Sequence, residues 1–196
     1  MTTDQTSIVV SRIIDASAAD IFNLLSNPER HHELDGSGMV VSDEKTDRIT
    51  ASGQVFTMNM NNEKMGDYQT ENHVTGYDHN KLLAWQTAPA GTEPKGWQWV
   101  WELEPQGADS TEVTLTYDWS HVTDKDTLKQ VSFPMVSKDE LEQSLNMLAA
   151  VVKSALNPVS RRQSNRTTTL SAAPGVFASS RASRDFSKGS TSLMIS

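Results

Sequence analysis

The sequence contains no cysteine, which excludes a disulfide framework, a thiol nucleophile and any cysteine-ligated zinc or iron–sulfur centre. It has no run of about 18 apolar residues, so no membrane insertion is expected. The opening stretch MTTDQT lacks the basic and apolar parts of a signal peptide, and the expected location is cytoplasmic. Positive charge is scarce in the first three quarters of the chain: residues 1–153 carry 11 Lys and Arg against 24 Asp and Glu, a balance of −13. Nucleic-acid affinity is built largely from cationic contacts, so the folded body is not expected to bind nucleic acid. A Ser–His–Asp order, a phosphate-cradling glycine loop and a dinucleotide fingerprint are all missing, which removes nucleophilic hydrolysis, kinase and Rossmann chemistry. No cofactor is expected.

What is present suits one compact domain with an appendage, given 196 residues of which 36% are hydrophobic and 21% charged. Residues 7–15 (SIVVSRIID) are short and rich in β-branched side chains, and read as a first strand. A helix follows, with Ser17 as cap, Asp20 three residues later, and Ile21, Phe22, Leu24 and Leu25 as its apolar face. Asn27-Pro28 restarts the chain as a second short helix, Asn27 serving as cap, and Asp35-Gly36 ends it.

From Met39 to about Ser120 apolar residues recur with period two between turn-rich breaks, the pattern of an antiparallel meander. Six strands are expected, over residues 38–45, 49–60, 67–77, 81–88, 96–105 and 111–120. In the last two, Trp97, Trp99, Trp101 and Leu103 alternate with polar or smaller residues, as do Val113, Leu115, Tyr117 and Trp119. A hairpin through Gly107 sets these two faces side by side. Their cover is a closing helix, where Ser137-Lys138-Asp139-Glu140 forms a capping box and Leu141, Leu145, Leu148 and Val152 recur at helical spacing. Beyond Lys153 periodicity stops, and 15 of 43 residues are Ser or Thr. Residues 154–196 read as a disordered, basic tail with a net charge of +5.

Several strings in this order resemble the START-like, or SRPBCC, superfamily in its polyketide cyclase/dehydrase and lipid-transport group. They are residues 14–22 (IDASAADIF), residues 27–31 (NPERH) leading to Asp35-Gly36-Ser37-Gly38, residues 97–105 (WQWVWELEP) and residues 114–120 (TLTYDWS). The likeness covers roughly residues 7–153. It implies an α+β helix-grip fold: a curved seven-stranded antiparallel sheet wrapped around a long C-terminal helix, with two short helices after the first strand. It also implies a cavity between sheet and helix for an apolar or aromatic small molecule.

The residues independently suit such a lining. All five Trp lie between positions 85 and 119, and Met58 and Met60 stand at strand spacing. Met58, Met60, Trp85, Trp97, Trp99, Trp101, Tyr117 and Trp119 are the candidate ligand-binding residues, although plain core packing accounts for a tryptophan stripe as well. Glu71, His73 and Tyr117 are the strand residues able to supply a general acid or base, and a solvated sheet face explains Glu71 and His73 equally. Adjacent His31 and His32 point some 100° apart in a helix and have no third ligand spaced nearby, so no metal site is expected and capping or a cavity-mouth role is. Three functions stay open: binding of a hydrophobic, lipid- or polyketide-like guest; a cyclase/dehydrase-type enzyme in the same cavity; and a partner-binding module resembling chaperone activators. No residue pattern speaks to oligomeric state.

Because residues 158–196 have no apolar face to bury, truncation after Asn157 should leave the thermal unfolding midpoint nearly unchanged. A drop of many degrees in a thermal melt would place the tail in the folded body.

Overall fold

The structure is a computed structural model, described here for residues 5–157. The expected tail from residue 158 onward lies outside the described residues. Strand β1 (Ser7–Ile14) leads into helix α1 (Ala18–Leu25), a 3-10 helix (Pro28–Glu33) and strand β2 (Val40–Asp43). Strands β3 (Val55–Asn62), β4 (Gly66–Asp78), β5 (Leu82–Pro89), β6 (Gln98–Gly107) and β7 (Ser110–Asp118) follow. A short helix α2 (Lys125–Gln130) and the long helix α3 (Lys138–Leu156) complete the order. The seven strands form one antiparallel sheet in the order β1-β7-β6-β5-β4-β3-β2, the first strand pairing with the last.

One face of the sheet is apolar because the strand residues alternate. Ile8, Tyr117, Trp99, Trp85 and Val74 are successive cross-strand partners, and Val10, Leu115, Trp101, Leu83 and Tyr77 form the adjoining row. Along β7 burial alternates without exception, with Thr111, Val113, Leu115 and Tyr117 buried. Helix α3 lies mainly along β1, with lesser contacts to β7, α1 and the 3-10 helix. Its Leu141, Leu145, Leu148 and Val152 are each no more than 1% exposed, and each such side chain contributes roughly 1.5–3 kcal/mol by leaving water. The capping box at its start forms as read: Ser137 Oγ accepts from the Glu140 N–H, and the Glu140 carboxylate accepts from the Ser137 N–H.

The loop after the 3-10 helix is set directly on α3. Gly36 N–H donates to Ser144 Oγ at 2.9 Å, and that hydroxyl donates to Glu140 O at 3.1 Å. A Cβ at Gly36 would stand 2.2 Å from Glu140 O and 2.6 Å from Ser144 N, so only glycine fits. Asp35 holds the rest of the loop, accepting from Ser37 N–H at 3.0 Å and from Val40 N–H at 2.8 Å, where β2 begins. The 3-10 helix itself is anchored by His31, whose Nε2–H donates to Leu25 O at 2.7 Å. The imidazole stacks on Trp85 (centroids 5.5 Å apart) and meets Phe56 edge-on (5.3 Å).

Four local expectations are corrected. Strand β3 begins at Val55 rather than 49, because Ile49 N–H donates to Ser26 O and Gln54 Oε1 accepts from the Thr50 and Ala51 N–H groups, which closes a loop instead of a ladder. Asn27 occupies the cap position without a side-chain hydrogen bond, and His31 is a core residue rather than a cap or a cavity-mouth residue. Helix α2 has no buried residue and therefore no apolar period in the sequence. Helix α3 runs to Leu156, so residues 154–156 are helical rather than part of a tail starting at 154.

Gly36→Ala should cost about 3 kcal/mol or more by forcing α3 off the loop. Gly38→Ala, with φ of +70° and open space around the new methyl, should cost only about 1 kcal/mol. Urea melts of the two variants give the comparison. Burial holds the His31 pKa below the usual imidazole value, against the pull of the Leu25 carbonyl. The unfolded chain therefore takes the proton first, and stability that is full above about pH 6.5 falls as the pH drops, by at most about 1.4 kcal/mol per pH unit. His31→Phe should flatten that part of the stability curve between pH 6.5 and 5.

Candidate functional site

The aromatic side chains of the inner sheet face do not form one uniform stripe. Trp99 lies flat on Tyr117, with centroids 4.2 Å apart and planes 11° from parallel. Tyr117 continues to Trp119 at 5.1 Å, Trp119 stacks on Phe133 at 5.9 Å, and Phe133 faces Trp97 at 5.8 Å. Phe133 comes from the irregular segment between α2 and α3 and joins Trp97 to Trp119 in this cluster. On the other side of Trp99, Trp85 packs with Phe56 at 5.5 Å and carries the His31 ring.

A polar thread runs beneath these rings. Trp99 Nε1–H donates to Thr87 Oγ1 at 3.2 Å, Thr87 Oγ1–H donates to Asn72 Oδ1 at 2.7 Å, and Asn72 Nδ2–H donates to Phe56 O at 3.4 Å. The neighbouring donors are not served in this way. Trp97 Nε1, Trp101 Nε1 and Tyr117 Oη are buried and have no hydrogen-bond partner among the described residues. Burial pushes the Tyr117 phenol pKa up, and the nearby Met135 backbone N–H pulls the other way.

Trp99 differs in exposure from its cross-strand partners. Its cross-strand partners Trp85 and Tyr117 are 9% and 0% exposed, and β6 is an interior strand, yet Trp99 is only partly buried. Helix α3 packs on β1 and β7, α1 on β6, and the 3-10 helix on β2 with His31 against Trp85.

The sequence candidates separate accordingly. Trp85, Trp97, Trp99, Tyr117 and Trp119 converge on this region, whereas Trp101 belongs to the adjoining row with Leu83 and Leu115. Met58 is buried on the same face, and Met60, partly exposed, lines an open depression of about 670 Å³ with Val41, Tyr68 and Pro89. Glu71 and His73 share a strand face, but it is the opposite one: Val74, not His73, is the partner of Trp85, and His73 pairs with Gln86. The structure therefore does not bring Glu71 and His73 to Tyr117. His73 Nε2 is buried without a partner among the described residues.

Four further residues belong to the region. Asn72 had a sequence signal, a polar side chain in phase with Thr70 and Val74. Phe56 and Thr87 are also in phase with their strands. Phe133 had none, because it stands in irregular chain.

No helix among the described residues is long and apolar enough to cross a membrane. Two solved structures illustrate the likeness of fold. A protein from Arthrobacter aurescens has a TM-score of 0.56 at 12% identity, covering 76% of this chain and 87% of its own. Protein Ms6760 from Mycobacterium smegmatis has a TM-score of 0.54 at 14% identity, covering 76% and 91%. Uncharacterized protein Rv0088 of Mycobacterium tuberculosis (strain ATCC 25618 / H37Rv) is 34% identical over 112 residues, 56% of this chain and 47% of that protein. The chain spans about half the length of the curated relatives it matches. The family described as "Activator of Hsp90 ATPase homolog 1-like protein" matches residues 15–153, from the end of β1 through most of α3. With that match spanning the helix-grip body, the chain belongs to this family, within the SRPBCC superfamily.

Proposed function

We propose that the protein binds an apolar, ring-containing small molecule over the inner face of the sheet, between α3 and the 3-10 helix. The observation that carries this reading is the partly exposed Trp99 ring at the middle of an otherwise buried aromatic row. A ring there offers a flat, polarizable surface to a guest, and the surrounding apolar side chains favour removing that guest from water.

A second reading, in which the domain recognises a protein partner, draws support from the family description and from the outer face of edge strand β1. There Val9 and Ile13 are 55% and 60% exposed, on the side away from Ile8 and Val10. A cyclase/dehydrase-type activity has the least support, since Glu71 and His73 lie on the face away from Tyr117.

Titration with an environment-sensitive dye or a flat aromatic compound should quench tryptophan emission, with competing guests displacing the first. Trp99→Ala should weaken that response and leave the protein folded. A tightly packed core ring would instead cost roughly 3–5 kcal/mol on truncation. No guest response together with such a stability loss would turn the choice to the partner reading.

A further inference from the structure

Two buried hydrogen-bond donors in the aromatic cluster have nothing to donate to. Tyr117 is fully buried and Trp97 is 6% exposed, and neither the Tyr117 Oη–H nor the Trp97 Nε1–H has an acceptor among the described residues, the Met135 backbone N–H near Oη being itself a donor. Both belong to one group of rings, tied together through Trp119 and Phe133 and continuing to the partly exposed Trp99. A buried donor left unpaired is costly, and a phenylalanine would fill either position without that cost. The neighbouring Trp99 shows the alternative, since its N–H is satisfied internally by Thr87.

We propose that Trp97 Nε1–H and Tyr117 Oη–H are specificity-determining donors, and that the guest is a flat ring system bearing a neutral acceptor oxygen, of ketone or quinone type. This rests on the proposed binding reading and deepens it. An indole N–H can only donate, so the complementary guest atom must be an acceptor. The rings packed against the two donors are uncharged, and burying a carboxylate among them costs more than burying a carbonyl oxygen. Trp101, the third unpaired indole, stands in the Leu83–Leu115 row away from Trp99 and is not part of the assignment.

A matched pair of probes isolates the oxygen: 9-fluorenone, which carries a ring ketone, and fluorene, which lacks it. Tryptophan-emission quenching gives both affinities, and the indole N–H signals in a nitrogen-15 correlation spectrum report on each of the five Trp residues. Fluorenone should bind about 10-fold tighter than fluorene and shift the Trp97 N–H signal, identified by its loss in Trp97→Phe. Tyr117→Phe should cost fluorenone about 3- to 10-fold in affinity, leave fluorene unchanged, and leave the guest-free melting temperature level or higher. Should Trp97→Phe fail to fold, Tyr117→Phe carries the test.

Equal affinity of the two probes for the wild-type protein would overturn the donor assignment while leaving the binding reading in place. So would a marked loss of guest-free stability in Tyr117→Phe, since the hydroxyl would then be satisfied within the protein or by water. Tighter binding of fluorene-9-carboxylate than of fluorenone would overturn the neutral-acceptor assignment. If neither fluorene nor fluorenone bound, the binding reading and this inference would fall together.

Discussion

The approach of Gly36 to helix α3 is the contact on which the arrangement of this domain depends. Backbone meets backbone there, closer than any side chain permits, and the Gly36 N–H is received by Ser144 on the helix. The consequences run in both directions along the chain. Behind Gly36 stands the 3-10 helix, which positions His31 over Trp85, and ahead of it β2 begins, its start set by Asp35 and Ser37 on either side of the glycine. One close contact thus couples the position of α3 to the cover over the far half of the sheet.

The region around Trp99 combines two treatments of polar atoms. On the β5 side the Trp99 indole, Thr87, Asn72 and the Phe56 carbonyl form a closed run of hydrogen bonds, which holds the Trp99 ring in one orientation. Toward Phe133, Trp97 and Tyr117 keep donors that the described residues do not satisfy. A core selected for stability alone pairs or removes such groups. Their retention beside a partly exposed ring is the physical basis for treating this cluster as a binding surface, with the Trp99–Thr87 side as its rigid support.

Alternation along β4 bears on the competing chemistries. Asn72 and Val74 face the aromatic row, while Glu71 and His73 face away, and a shift of one residue in register would exchange the two sets. Val74 opposite Trp85 and Phe56 opposite Asn72 hold the register, because slipping it would expose those buried side chains. An acid–base pair that looks proximate in the string of residues is thereby kept off the face that carries Tyr117.

The elements with strong local signals were legible without a structure. The period-two runs of β6 and β7, the capping box and apolar spacing of α3, and the Ser17 cap of α1 each depend on residues close in sequence. The order of those elements, with its family resemblance, was enough for the helix-grip fold. Where the chain was governed by distant partners the reading failed: Ile49 is turned out of a strand by Ser26, and Phe133 enters the cluster through Trp97 and Trp119. The sequence by itself determined which residues of a strand share a face, as along β6 and β7, because alternation is a local property. Which of those rings stays partly open, which donors go unpaired and which face receives His73 were decided only by tertiary structure, since each depends on strand register and on where α3 and the 3-10 helix come to rest.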